Sequence, residues 1–276
     1  MSTGIIRLWC LVLIFGSLPL TAVAEELTHS SPEWRNLGRG LNFALVDVLR
    51  DEEAVGDLAV VKIDPGANAF RVSHHTPQQI TDWQKELKAT VVFNASYYSP
   101  GGRPVGLIIS DGKAVGPPNN SRMRGMFVAE PKGVSPDLPR ATILDLAATP
   151  TQPQKLPWTQ GVQSFPLLLD SQERIRVLKT DKVAHRTVIA TDRSGNILVF
   201  NTHSGSFTLY ELARLLRDSA FEVDVALNLD GGTEAQLYIK TKDFEFFSPP
   251  RWETKLGSLL DLKLFELPTV VAVFPR

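Results

Sequence analysis

An apolar run from Val223 to Leu229, broken by Asp224 and Asn228, delivers the carboxylate of Asp230 onto Gly231 and Gly232, with Thr233 and Glu234 following. A run of this kind reads as the end of a buried strand. Paired glycines let the backbone turn with positive φ or come close to a ligand. A carboxylate left at a strand end beside bare backbone N–H groups can do chemistry on something small. The same letters also fit a plain hairpin, because Asp-Gly is a favoured turn pair.

The rest of the chain is a succession of short apolar runs between turn residues. Phe43 to Leu49 and Leu58 to Ile63 read as strands. Asp64-Pro65-Gly66-Ala67-Asn68 is strong turn chemistry, and residues 25 to 40 read as a polar arm or loop. Thr76 and Pro77 fit a helix cap and first turn, with Ile80, Trp83 and Leu87 on the buried face. Thr90 to Phe93 is a short buried strand ending at Asn94, and Asp111-Gly112 closes a hairpin. Residues 116 to 140 hold five prolines and the cations Arg122, Arg124 and Lys132, and read as a surface excursion. Arg186 to Thr191 and Ile197 to Asn201 form a second hairpin. Thr208 with Glu211 spells a capping box ahead of Leu209, Leu212, Ala213 and Leu216. Strands follow at Leu237 to Ile239 and Val270 to Phe274. Many short strands and two helices predict one α+β domain, a mixed β-sheet core with a few flanking helices.

Residues 1–24 read as a signal peptide. Arg7 is the basic end, Leu8 to Leu20 an apolar core of about 13 residues, too short to span a bilayer comfortably, and Ala22-Val23-Ala24 the cleavage pattern. The expectation is export, to the periplasm or beyond, as a single domain over 25–276 with no stable membrane anchor after cleavage. The lone cysteine, Cys10, lies in that leader, so the mature chain must be stable by its core alone. Removing Arg7 from 29 basic residues leaves 28 against 30 acidic ones, a balance that gives no reason to expect nucleic acid or an acidic membrane surface.

Several chemistries lack their residues. No Gly-x-Ser-x-Gly elbow, P-loop or dinucleotide fingerprint occurs, and the five histidines and single cysteine show no zinc spacing. What remains is a set of polar residues at the ends of predicted strands: Asn94, Ser164, Arg186, His203, Asn228, Asp230 and Glu234. A buried Arg186 in a β-rich stretch would need an anionic partner or ligand. A structural ion pair with Asp230 is the plain alternative.

The order of six motifs resembles the phosphodiester glycosidase family over roughly residues 60 to 240. They are Phe93-Asn94-Ala95-Ser96-Tyr97-Tyr98, Pro104-Val105-Gly106-Leu107, Gln163-Ser164-Phe165-Pro166-Leu167-Leu168, His185-Arg186-Thr187-Val188-Ile189-Ala190, Thr208-Leu209-Tyr210-Glu211-Leu212-Ala213 and Asn228-Leu229-Asp230-Gly231-Gly232-Thr233. The chain departs from the family at Ala95-Ser96, where Gly-Gly is usual, and at Glu234, where a serine is common. The resemblance implies hydrolysis of a sugar-1-phosphate diester at the anomeric carbon. Asp230 would face that carbon, Arg186 would hold the phosphate, and Glu234 would be a second carboxylate. Asn94, Ser164, Asn228, Thr233, Gly231, Gly232, His203 and Thr208 would line the substrate. No cofactor is implied, with a structural divalent cation left open. The partner would be a carbohydrate or glycosyl phosphate. The alternative is a glycan-binding protein that keeps the fold without turnover.

Overall fold

The computed structural model describes residues 26–117, 120–133, 137–149, 152, 155–250 and 265–276; the leader assignment lies outside them. Among the described residues, three large sheets build the domain, with a two-stranded ribbon of Tyr98–Ser99 and Arg103–Pro104 beside them. The eight-stranded sheet runs in the order Leu27–His29, Leu41–Arg50, Glu53–Ile63, Ile197–Ser204, Thr187–Asp192, Val223–Asn228 and Leu167–Leu169, with Arg35–Gly38 also on the second of these. A five-stranded sheet follows the order Lys113–Val115, Ile108–Ser110, Trp158–Ser164, Gly125–Pro131 and Ala141–Asp145. The other orders Glu245–Ser248, Leu237–Lys240, Val91–Asn94, Leu267–Pro275 and Asn68–Gln78.

Every ladder in these sheets is antiparallel among the described residues, so the expected mixed sheet is corrected to an antiparallel one. The fold is mostly β. Several neighbouring strands are joined by short turns such as Asp192 to Asn196, where the Asp192 carboxylate accepts from the backbone N–H groups of Ser194 and Asn196. Turns of that length join antiparallel neighbours, whereas parallel ones need long crossovers.

The central core lies between the sheets, with Phe43, Phe70, Phe93, Phe127, Val199, Leu227 and Leu237 among its members. Each helix covers an outer sheet face. Helix α1, Ile80–Leu87, packs Ile80 and Trp83 against Val92, Val270 and Ala272. Helix α2, Leu209–Arg217, packs Leu212, Ala213 and Leu216 against Val60, Leu198 and Phe200. No helix among the described residues is long and apolar enough to cross a membrane.

Three local expectations are corrected. Thr76 and Pro77 do not open α1; they continue the strand Asn68–Gln78, and Gln79 is the N-cap. Residues 25 to 40 contribute two short strands at the sheet edge. The proline-rich stretch 116–140 hides Gly125–Pro131, a strand with a buried Met126-Phe127-Val128-Ala129 run, paired on both sides, by Trp158–Ser164 and Ala141–Asp145. The capping box forms as expected: Thr208 Oγ1 accepts from the Glu211 backbone N–H at 3.1 Å, and Glu211 Oε2 accepts from the Thr208 N–H at 2.9 Å. Thr208→Ala should therefore lower unfolding stability by about 1 kcal/mol, read as a fall in urea midpoint at unchanged m-value. An unchanged midpoint would show the cap to be idle.

Candidate active site at the meeting of three sheets

The hairpin reading of Asp230 is overturned by the topology. Val223–Asn228 belongs to the eight-stranded sheet, and the next strand, Leu237–Lys240, belongs to another. Residues 229 to 236 are thus a crossing between sheets, and the ends of three other segments sew it in place. The Asn228 N–H donates to Pro166 O at 3.0 Å, Leu229 N–H to Thr187 O at 2.9 Å, Asp230 N–H to Ala95 O at 3.1 Å, and Gly232 N–H to His185 O at 2.9 Å. The two glycines do different work. Gly232 takes φ +74°, the left-handed region glycine favours. Gly231 is extended, and a Cβ there would fall 2.9 Å from His185 O and 3.4 Å from Arg186 Nη1. The missing side chain lets the guanidinium lie against the loop.

Asn94, Ser164 and Asn228 are all buried and tied into the framework, with Asn228 Oδ1 left without a hydrogen-bond partner among the described residues. Asn94 Nδ2 donates to the carbonyl of Asp230 at 2.8 Å, while its Oδ1 accepts from Thr187 Oγ1 at 2.6 Å and the Gln236 N–H at 3.1 Å. Thr187 Oγ1 accepts in turn from Asn201 Nδ2 at 2.8 Å, and Asn201 Oδ1 from Ser248 Oγ at 2.5 Å. Ser164 Oγ donates to Asn228 O at 2.8 Å. Asn228 Nδ2 reaches Tyr97 Oη at 2.7 Å and the carbonyls of Leu229 and Phe165 at 2.6 and 3.2 Å. These side chains position the loop. Thr208 is likewise used by its helix cap. His203 turns away, its ring 4.9 Å from that of Phe246 and its Nδ1 buried with no partner among the described residues. Burial holds its imidazole below the usual range.

The side chains gathered around the loop are Asp230, Glu234, Arg186, Tyr97 and Tyr98. Burial, and then the negative charge of Glu234, push the Asp230 carboxyl up to about 7 against the pull of its hydrogen bond from the Gly231 N–H. Thr233 is exposed and donates its hydroxyl to Glu234 Oε2 at 2.8 Å. Arg186 donates Nε to Phe207 O at 3.2 Å and Nη2 to Lys182 O at 2.9 Å. Its Nη1 has no acceptor, and no carboxylate is in ion-pair contact with it, among the described residues, so the structural ion pair with Asp230 does not form. Burial lowers its affinity for its proton, which a guanidinium still keeps. Tyr97 and Tyr98 were not singled out from sequence, although their aromatic pair stood in the motif. Both phenols are pushed up by burial first. Tyr97 then feels Asp230 and, in the opposite sense, Arg186; Tyr98 feels Glu234 and Asp230. No group of three or more His, Cys, Asp or Glu side chains that could hold a metal ion occurs among the described residues.

The raised Asp230 carboxyl fixes a sign for stability. Its folded value lies above the ordinary aspartate value of about 3.9, so its contribution is full below about pH 4 and is lost as pH rises through about 7. Asp230→Asn removes this titration. Relative to wild type, the variant should gain about 2–4 kcal/mol between pH 4 and pH 8 in urea unfolding. A difference that stays flat with pH would mean that Asp230 titrates as an exposed carboxylate.

Residues 87–261 match the model of the phosphodiester glycosidase family, more than half of the chain. No curated protein matches the sequence. Among solved structures, the fold is similar to the catalytic domain of zebrafish N-acetylglucosamine-1-phosphodiester α-N-acetylglucosaminidase, auto-inhibited by its pro-peptide. The TM-score is 0.59 at 17% identity, over 91% of this chain and 89% of that one. It is also similar to a hypothetical protein from Synechocystis, with TM-score 0.57 and 14% identity over 91% of this chain and 68% of that one. With the family match and the shared fold, the chain belongs to the phosphodiester glycosidase family.

Proposed function

We propose that this protein is an exported hydrolase that cleaves a glycosyl phosphodiester at the anomeric carbon, acting on envelope or exopolysaccharide components. The observation that carries the proposal is the loop between two sheets. It offers a half-buried carboxylate, Asp230, with a second one, Glu234, four residues on, and the guanidinium of Arg186 lies against Gly231 with Nη1 uncommitted among the described residues. The family match and the zebrafish enzyme's name, a glycosidase acting on a sugar-1-phosphodiester, point the same way.

The chemistry follows from those groups. Arg186 Nη1 takes a phosphate oxygen by a charge-assisted hydrogen bond. The bond between the anomeric carbon and the phosphate oxygen breaks, and its electron pair leaves with the phosphate, which stays anionic and needs little help from an acid. The Asp230 carboxylate faces the carbon as positive charge develops there, as nucleophile, base or stabiliser. Water supplies the new hydroxyl. Burial, and then the negative charge of Glu234, raise the pH at which Asp230 is ionised.

Asp230→Asn should cut release of reducing sugar from a sugar-1-phosphate diester by at least about 10³-fold. Arg186→Ala should raise KM roughly tenfold or more, and Arg186→Lys should restore only part of it. In the wild type, kcat/KM should rise about tenfold per pH unit up to about pH 7 and then level. Glu234→Gln should move that limb to lower pH, because it removes the charge that pushes Asp230 up. Full turnover by Asp230→Asn would sink the assignment; saturable glycan binding with no turnover by the wild type would leave a binding protein.

A further inference from the structure

One ring beside the loop has no part in the chemistry above. Phe165 sits in the corner between Trp158–Ser164 and Leu167–Leu169, and its carbonyl accepts from Tyr97 Oη at 3.0 Å and from Asn228 Nδ2 at 3.2 Å. Its backbone is therefore held by the same side chains that shape the Asp230 loop. Its side chain is not buried with them: the residue is 38% exposed, one of few large apolar side chains on the described surface. The ring leans on that of Tyr97, with centroids 4.8 Å apart and planes 38° apart.

A single exposed phenylalanine is ordinary, and exposure alone would argue nothing. Its position is what matters. Tyr97, the ring that Phe165 leans on, lies within the fields of both Asp230 and Arg186, which act on its phenol in opposite senses. Tyr97 Oη also accepts from Asn228, two residues before Asp230. The aromatic pair is thus tied by hydrogen bonds to the strand end that leads into Asp230. The corner's hydrogen bonds use only the backbone carbonyl of Phe165, so its side chain takes no part in them.

We propose that Phe165 and Tyr97 form a platform on which the sugar ring of the substrate stacks, setting its anomeric carbon before Asp230 and its phosphate before Arg186. This rests on the hydrolase reading and names the substrate class of that site: a pyranosyl phosphodiester with one hydrophobic face. A pyranose chair gathers axial C–H bonds on a face, and their positive edges meet the negative face of an aromatic ring. Stacking also fixes the ring's orientation, which a single phosphate contact leaves free to rotate.

The test uses the mature protein carrying Asp230→Asn, with binding of glucose 1-phosphate, N-acetylglucosamine 1-phosphate and inorganic phosphate followed by calorimetry. Adding Phe165→Ala should weaken at least one sugar phosphate about tenfold or more and leave inorganic phosphate unchanged. Phe165→Trp should keep the affinity, whereas Phe165→Leu, with apolar volume but no π face, should not. The proposal is overturned if Leu serves as well as Trp, because the ring then only packs on Tyr97. It is also overturned if Ala weakens inorganic phosphate equally, if Ala leaves the sugar phosphates unaffected, or if neither sugar phosphate binds the parent. Turnover by the chain with Asp230 intact separates the two readings. Sugar binding through Phe165 without diester hydrolysis keeps the platform and removes the hydrolase. Hydrolysis with an unchanged KM in Phe165→Ala keeps the hydrolase and removes the platform.

Discussion

The hydrogen bond from Asn94 Nδ2 to the carbonyl of Asp230 is the contact on which the candidate site depends. Asn94 ends a strand of one sheet, Asp230 follows a strand of another, and Thr187, which donates to Asn94 Oδ1, opens a third strand beside that of Asp230. The amide is buried, with both of its ends in use, and the chain of bonds runs on through Asn201 to Ser248. Each group orphaned by losing such an amide costs about 1–3 kcal/mol. A network satisfied from end to end has one geometry, and it holds the crossing loop without any regular structure beyond the short turn Gly232–Glu234.

That rigidity bears an electrostatic cost. Asp230 is held where burial and Glu234 oppose its ionisation, and Arg186 is held nearby without a carboxylate in ion-pair contact among the described residues. A chain selected for stability alone would pair these charges or replace them with apolar groups. Carboxylates shifted this far, next to an uncommitted cation, cluster where a ligand completes the arrangement. In the proposed reaction the guanidinium takes the phosphate and the carboxylate faces the carbon.

What could be read from the sequence followed local physics. The capping box at Thr208, the apolar face of α2 and the hairpin across Asp192 to Asn196 depend on residues a few positions apart, and each formed. The strand at Gly125–Pro131 was hidden because flanking prolines outweighed a four-residue apolar run. The cap at Thr76 failed because the long ladder with Leu267–Pro275 extends the strand through Gln78. Asp230, Arg186 and Glu234 were visible as charges at strand ends. Framework bonding at strand ends was an open reading for Asn94 and Asn228, but the partners of these side chains and of Ser164 were not visible, since most lie 63 to 142 positions away in the chain. Tyr97, Tyr98 and Phe165 stood in the quoted motifs, but nothing local distinguishes an aromatic beside a loop from one in a core.

The central claim concerns which bond breaks, and oxygen-18 water tests it most directly. The mature protein would hydrolyse a sugar-1-phosphate diester in labelled water, and the phosphate monoester released would be weighed by mass spectrometry. Attack at the anomeric carbon leaves that phosphate unlabelled, which is the result predicted here. Label in the phosphate would mean attack at phosphorus and would contradict the account.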